Sequence, residues 1–188
     1  MVLSHVSSRQ LEGRKLEGYT KSEVLYSNLS AEKMAEMEEA GEVDAWVMAL
    51  PNGVCKPFVD AIERAKGGKS VIIDLGADYR FEEGWTYGLP GACLGSSLPR
   101  VSAVQLTYPL AFFTELYSRK KLRSAKRIAN PGCFATSTQL LIAPLLPHLD
   151  LSNPPTVVAS SGYSGAGTKS GPPAQDGFPT TVSKIVRP

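Results

Sequence analysis

Ala45-Trp46-Val47-Met48-Ala49-Leu50, the turn Pro51-Asn52-Gly53 and, further on, Val71-Ile72-Ile73-Asp74-Leu75 decide the fold. The first run is continuously apolar, the pattern of a strand covered on both faces in a parallel sheet. Pro51-Asn52-Gly53 turns the chain into a helix on which Phe58, Ile62 and Ala65 recur at helical spacing, with Gly67-Gly68 as its end. The second apolar run returns as the next buried strand. Strand, helix and strand joined by short turns define an α/β sheet with right-handed crossovers.

The same reading extends in both directions. Val2 to Val6 forms a short strand that enters the polar loop Ser7-Ser8-Arg9. Ser30 caps a helix carrying Met34, Met37 and Glu38, which Gly41 stops. Arg127-Ile128-Ala129 and Thr156 to Ala159 are later strands. Between them a helix runs from Cys133 to about Ala143 with Leu140 and Leu141 inward, and Pro144 ends or kinks it. Gly91 to Thr114 fits none of this: it has neither period, and Arg100 is its only charge. A long structureless insertion is uncommon inside a compact domain.

With 188 residues the chain suffices for one domain with a real core, or parts of two. A formal charge of +2 gives no reason to expect nucleic acid or a membrane surface as partner. Three cysteines without regular spacing argue against a disulfide framework. Two histidines and no paired cysteines argue against zinc. No apolar run is long enough to span a bilayer, and the first residues resemble neither a secretory nor a transit segment.

Ala129-Asn130-Pro131-Gly132-Cys133-Phe134-Ala135-Thr136 places a thiol at a helix entrance. Backbone N–H groups and the positive end of the helix dipole there favour a thiolate, the nucleophilic form of cysteine. A cysteine chosen at random is more often a small buried hydrophobe. The Pro-Gly turn and the Thr136 and Ser137 hydroxyls favour a nucleophile here. Cys55 is read as structural, and Cys93 is given no role. Ser160 to Gly167 is a Gly/Ser loop after a strand, able to form an anion-holding nest or to be a plain flexible turn. Ser7, Ser8 and Arg9 follow the first strand; in a dinucleotide-binding sheet an Arg near there accommodates the extra phosphate of NADP. Asp74, Asp78 and Arg80 are either paired surface charges or the lining of the strand-end crevice. His148 is structural or solvated.

Together these pieces resemble the N-acetyl-gamma-glutamyl-phosphate reductases of the semialdehyde dehydrogenase superfamily, in wording similar to the fungal branch. The resemblance rests on Val6 to Arg9, Ala49 to Val54, Asp74-Leu75-Gly76-Ala77-Asp78-Tyr79-Arg80-Phe81, Tyr87 to Pro90, Asn130 to Thr136, and Ser161 to Gly167, in family order. It implies a Rossmann-like parallel sheet lacking its first βα unit (residues 1–132), followed by the start of an α+β catalytic and dimerisation domain (residues 133–188). It implies NADPH-dependent reduction of N-acetyl-glutamyl 5-phosphate to the semialdehyde plus phosphate, with Cys133 as nucleophile. NADP(H) would be held by Ser7, Ser8 and Arg9, by the crevice residues Leu50, Pro51 and Asn52, and by Ser164 and Gly165 near the nicotinamide. It further implies a small-molecule acyl-phosphate substrate, a homo-oligomer and a mitochondrial location, the cytoplasm being the alternative.

The family also has an opening Gly-rich turn and a later catalytic histidine without counterparts among these residues. The expectation is therefore an incomplete copy of doubtful activity, in need of an intact partner. A non-catalytic truncated subunit or interaction module and an enzyme like aspartate-semialdehyde dehydrogenase are the alternatives. The family runs from Gly-Leu-Pro straight into Glu-Leu, whereas Pro90 and Glu115 are here separated by Gly91 to Thr114. The segment is read as translated intron, with a genuine surface loop as the competing reading. Sequencing of transcripts across its two joints is expected to find a dominant message without it; a dominant message encoding it contradicts the intron reading.

Overall fold

A computed structural model describes residues 2–88, 119–142, 145, 148, 156–161 and 182–186. Its elements are β1 (Val6–Ser7), β2 (Tyr26–Ser27), α1 (Ala31–Glu39), β3 (Ala45–Met48), α2 (Lys56–Arg64), β4 (Val71–Asp74), β5 (Thr86–Tyr87), α3 (Arg119–Ser124), β6 (Arg127–Ala129), α4 (Cys133–Ile142), β7 (Val157–Ser161) and β8 (Val182–Val186). The central sheet has the order β3-β4-β6-β5, and every pair in it is parallel. β1 and β2 form a separate parallel pair, and β7 and β8 an antiparallel one. The α/β class read from residues 45–75 is the class observed.

The two helices beside β3 form for the reasons their sequences give. Ser30 accepts a hydrogen bond from the Lys33 amide at 3.2 Å and opens α1. At its other end the Ala40 and Gly41 amides bond back to the carbonyls of Glu36 and Glu38. α2 carries Pro57 in its first turn, where a missing N–H costs nothing. Its inward stripe is Cys55, Val59 and Ile62, each 1% exposed. Of the expected Phe58, Ile62 and Ala65, Ile62 is in the core and Phe58 packs half-buried against it, whereas Ala65 is the extended C-cap outside the helix.

Met34 and Met37 of α1, Trp46 and Met48 of β3, the α2 stripe and Ile72 of β4 form one core. Ile72 pairs with Trp46 on one side and Arg127 on the other, and is fully buried. β3 is not covered on both faces as expected: Val47, pointing away from α1 and α2, is 49% exposed. Leu140 and Leu141 of α4 are also exposed, at 54% and 62%, against the expectation that they face inward. The inward face of α4 is instead Ala135, Thr138 and Ile142, spaced three and four apart. Among the described residues no helix is long and apolar enough to cross a membrane.

One buried carboxylate ties three elements together. Trp46 Nε1 donates to Glu38 Oε2 at 2.7 Å, and the Ser70 amide donates to Oε1 at 3.1 Å. Burial raises the Glu38 pKa, but the hydrogen bonds from Trp46, Ser70 and the Lys69 backbone outweigh it, and the net shift is downward. A carboxylate held below its ordinary range contributes stability above that range, lost as pH falls through it. Trp46→Phe is expected to cost about 2 kcal/mol of unfolding free energy at pH 7 through the lost bond to a charged group. Urea titrations should find a smaller cost in acid than at pH 7, because protonation of Glu38 weakens the bond that Trp46 donates to it. Equal costs at the two pH values would contradict this role.

Candidate active site

The carboxyl ends of β3, β4 and β6 meet on one edge of the central sheet, where ligands bind in open α/β folds. The ladder runs past the strands themselves. Leu75 N–H donates to the Met48 carbonyl at 3.0 Å, and Asn130 N–H donates to the Asp74 carbonyl at 2.8 Å. Three loops are thereby set side by side: residues 49–54, residues 75–80, and Asn130-Pro131-Gly132.

Hydrogen bonds lock the first two loops. The Ala77 amide donates to Asn52 Oδ1 at 3.0 Å, and the Gly53 amide donates to both carboxylate oxygens of Asp78 at 2.9 Å. Asp74, 1% exposed, accepts from the Gly76 amide at 2.9 Å. A Cβ on Gly76 would come 3.0 Å from Asp74 Oδ1 and 3.4 Å from Asn52 Oδ1, so a larger residue there would press on both side chains. Asp74 and Asp78 thus bond to backbone amides at the strand ends and are not paired surface charges.

The third loop leads into α4. The Thr136 amide donates to the Gly132 carbonyl at 2.9 Å, which makes Cys133 the first residue of the helix. Its side chain is exposed. The Arg80 guanidinium packs on Gly132: a Cβ there would lie 3.2 Å from one terminal nitrogen and 3.3 Å from the other. A positive charge therefore rests on the residue next to the thiol. The sequence reading missed this, although a glycine directly before the cysteine is the trace it leaves. Ser137 Oγ donates to the Phe134 carbonyl at 3.1 Å, so this hydroxyl serves its own helix.

Cys55 is different in every respect. It is 1% exposed at the N-cap of α2. Burial, followed by the carboxylates of Asp74 and Asp78, pushes its thiol up to about 12. That agrees with a structural cysteine.

The remaining predicted residues fall in two groups. Leu50, Pro51 and Asn52 follow β3, in the loop of residues 49–54 described above. Ser7, Ser8 and Arg9 stand at the carboxyl end of β1, in the separate pair. Ser7 Oγ accepts from the Leu29 amide at 3.0 Å, and the Ser8 amide donates to the Ser27 carbonyl at 2.8 Å. Arg9 is exposed, and among the described residues no carboxylate pairs with it. Ser164, Gly165, Cys93 and residues 91–114 lie outside the described residues; His148 is exposed.

The described residues thus form an α/β sheet with an exposed thiol at a helix entrance beside the strand ends. Residues 1–93 match the model of the semialdehyde dehydrogenase NAD-binding domain, and residues 133–181 that of the semialdehyde dehydrogenase dimerisation domain. The chain belongs to the semialdehyde dehydrogenase family.

Among its relatives, Protein arg-6, mitochondrial, of Neurospora crassa is 54% identical over 92% of this chain and 17% of its own length. Protein arg11, mitochondrial, of Schizosaccharomyces pombe is 53% identical over 90% of this chain and 16% of its own. The N-acetyl-gamma-glutamyl-phosphate reductase of Xanthomonas euvesicatoria is 39% identical over 99% of this chain and 49% of its own. The chain therefore spans about one-sixth of these fungal relatives and about half of this bacterial one. Aspartate semialdehyde dehydrogenase II of Vibrio cholerae shares the fold, with a TM-score of 0.53 at 14% identity over 88% of this chain and 40% of that one. The Francisella tularensis aspartate semialdehyde dehydrogenase gives 0.54 at 15% identity over 88% and 38%.

The contrast between the two thiols is directly measurable. Iodoacetamide at neutral pH should label Cys133 roughly 100-fold faster than Cys55, read by peptide mass mapping. Comparable rates would contradict the assignment of an open and a structural cysteine.

Proposed function

We propose that Cys133 is the nucleophile of an NADPH-dependent reduction of N-acetyl-glutamyl 5-phosphate to N-acetyl-glutamate 5-semialdehyde and phosphate. The observation that carries this reading is the exposed thiol at the start of α4, with Arg80 seated on the preceding glycine. Relatives at 39–54% identity that are named for arginine genes or for this reductase support the substrate class. The structural neighbours named for aspartate semialdehyde lie at 14–15% identity and speak only to the fold.

The residues divide the work as follows. The Cys133 sulfur attacks the acyl carbon, the bond from carbon to the phosphate oxygen breaks, and phosphate leaves, so that the acyl group rests as a thioester. The helix entrance offers backbone N–H groups to the oxyanion formed on the way. Arg80 presents its guanidinium over Gly132, the residue before Cys133, where an anionic substrate group would approach. A reduced nicotinamide, when bound, would supply a hydride to the thioester carbon, and the carbon–sulfur bond would break to release the aldehyde and return the Cys133 thiolate.

Leu50, Pro51 and Asn52 would line the dinucleotide crevice, and Ser7, Ser8 and Arg9 would hold the 2′-phosphate of NADPH. The exposure of Arg9 and its lack of a carboxylate partner among the described residues fit that phosphate. Ser164 and Gly165 are proposed for the nicotinamide end. Residues 1–132 would form the dinucleotide-binding domain, and residues 133–188 part of the catalytic and dimerisation domain. A homo-oligomer and a mitochondrial location follow from the same kinship.

The test is NADPH oxidation followed at 340 nm with N-acetyl-glutamyl phosphate and, separately, aspartyl phosphate, using the chain alone and mixed with an intact relative. Turnover with the first substrate, abolished by Cys133→Ala, is expected. Arg9→Ala should raise KM for NADPH about tenfold, the value of one charge-assisted contact, and leave NADH unaffected. Equal use of NADH and NADPH would refute the 2′-phosphate role of Arg9. Turnover with aspartyl phosphate alone would refute the substrate.

A further inference from the structure

Asp78, Tyr79 and Arg80 are consecutive, yet each side chain reaches a different part of the molecule. Both Asp78 oxygens accept from the Gly53 amide at 2.9 Å, across to the loop after β3. Tyr79 turns into the core and stacks on Trp85, with ring centroids 4.0 Å apart. Arg80 lies on Gly132, on the loop after β6. The opposite bond of the strap runs from the Ala77 amide to Asn52 Oδ1 at 3.0 Å. The guanidinium is thus borne on a turn tied to the loop after β3 by one side chain from each, Asp78 of the turn and Asn52 of the loop.

We infer that Asp78 is a positioning residue: through its bonds to Gly53, paired with the Asn52–Ala77 bond, it keeps Arg80 seated over Gly132, the residue before Cys133. The inference rests on the reading of Cys133 as the nucleophile, and it assigns to Asp78 a role distinct from contact with substrate. Bound at one end to the crevice loop and at the other to the turn that carries Arg80, the strap joins the proposed dinucleotide loop to the proposed acylation site.

A charge beside a thiol has a signature that packing does not. It accelerates an anionic alkylating reagent relative to a neutral one, and it does so most at low salt. The experiment measures the ratio of iodoacetate to iodoacetamide rates at Cys133 in the full chain at low ionic strength, with sites read by peptide mapping. Arg80→Gln is expected to lower the ratio about threefold, the size of one unit charge acting across several ångströms of wet surface. Asp78→Ala should lower it as much, and the double variant should fall no further, because the two act as one unit. Asp78→Asn keeps one acceptor for Gly53 and should recover most of the ratio.

Should Asp78→Ala not fold, Asn52→Ala cuts the other half of the strap and carries the same expectation. A wild-type ratio in Asp78→Ala or Asn52→Ala, or an additive fall in the double variant, would overturn the inference. So would an Arg80→Gln variant with an unchanged ratio. The reagents need neither acyl phosphate nor dinucleotide, so the strap can fail while the proposed reduction stands, and the reverse.

Discussion

The register of three parallel strands is the constraint on which the rest of the molecule depends. Trp46 opposite Ile72 and Ile72 opposite Arg127 align β3, β4 and β6, so that their carboxyl ends finish together. Because the side chains alternate with period two, a slip of one residue would send Trp46 and Met48 away from α1 and α2. It would also part the Asn130 amide from the Asp74 carbonyl and carry the thiol loop away from the turn holding Arg80. Core and site are therefore two consequences of one alignment.

Packing enforces that alignment from several sides. Glu38 reaches from α1 to Trp46 on β3 and to Ser70 just before β4. Arg127 of β6 donates to Glu63 of α2 at 2.9 Å and to the Ser70 carbonyl at 3.1 Å. These bonds join helix to strand at the opposite end of the sheet from the thiol, and the apolar core fills the space between. The site at the other end is left to loops, where close approach is obtained with Gly76 and Gly132 in place of larger residues.

Much of this was legible in the sequence, and the failures have physical causes. The apolar runs at Ala45 and Val71 and the Ser30 cap report themselves, because their signals are local. Tyr26–Ser27 and Thr86–Tyr87 are strands of two residues, too short for a period, and exist through their partners. Val47, Leu140 and Leu141 look buried by composition alone, yet exposure depends on which neighbours lie across the face. The motif at Cys133 was readable as a helix entrance. The seat of Arg80 was not, since it joins residues 52 positions apart in the chain. Asp78 likewise reads as an ordinary loop acid until the Gly53 amide is found against it.

The central claim is that the Cys133 sulfur takes the acyl group from an acyl phosphate, and intact-mass spectrometry tests it without any dinucleotide. Incubation with N-acetyl-glutamyl phosphate should add one acyl group, mapped to Cys133, with release of an equal amount of phosphate and no adduct in Cys133→Ser. Phosphate release without an adduct on that residue, or an adduct that persists in Cys133→Ser, would contradict the account.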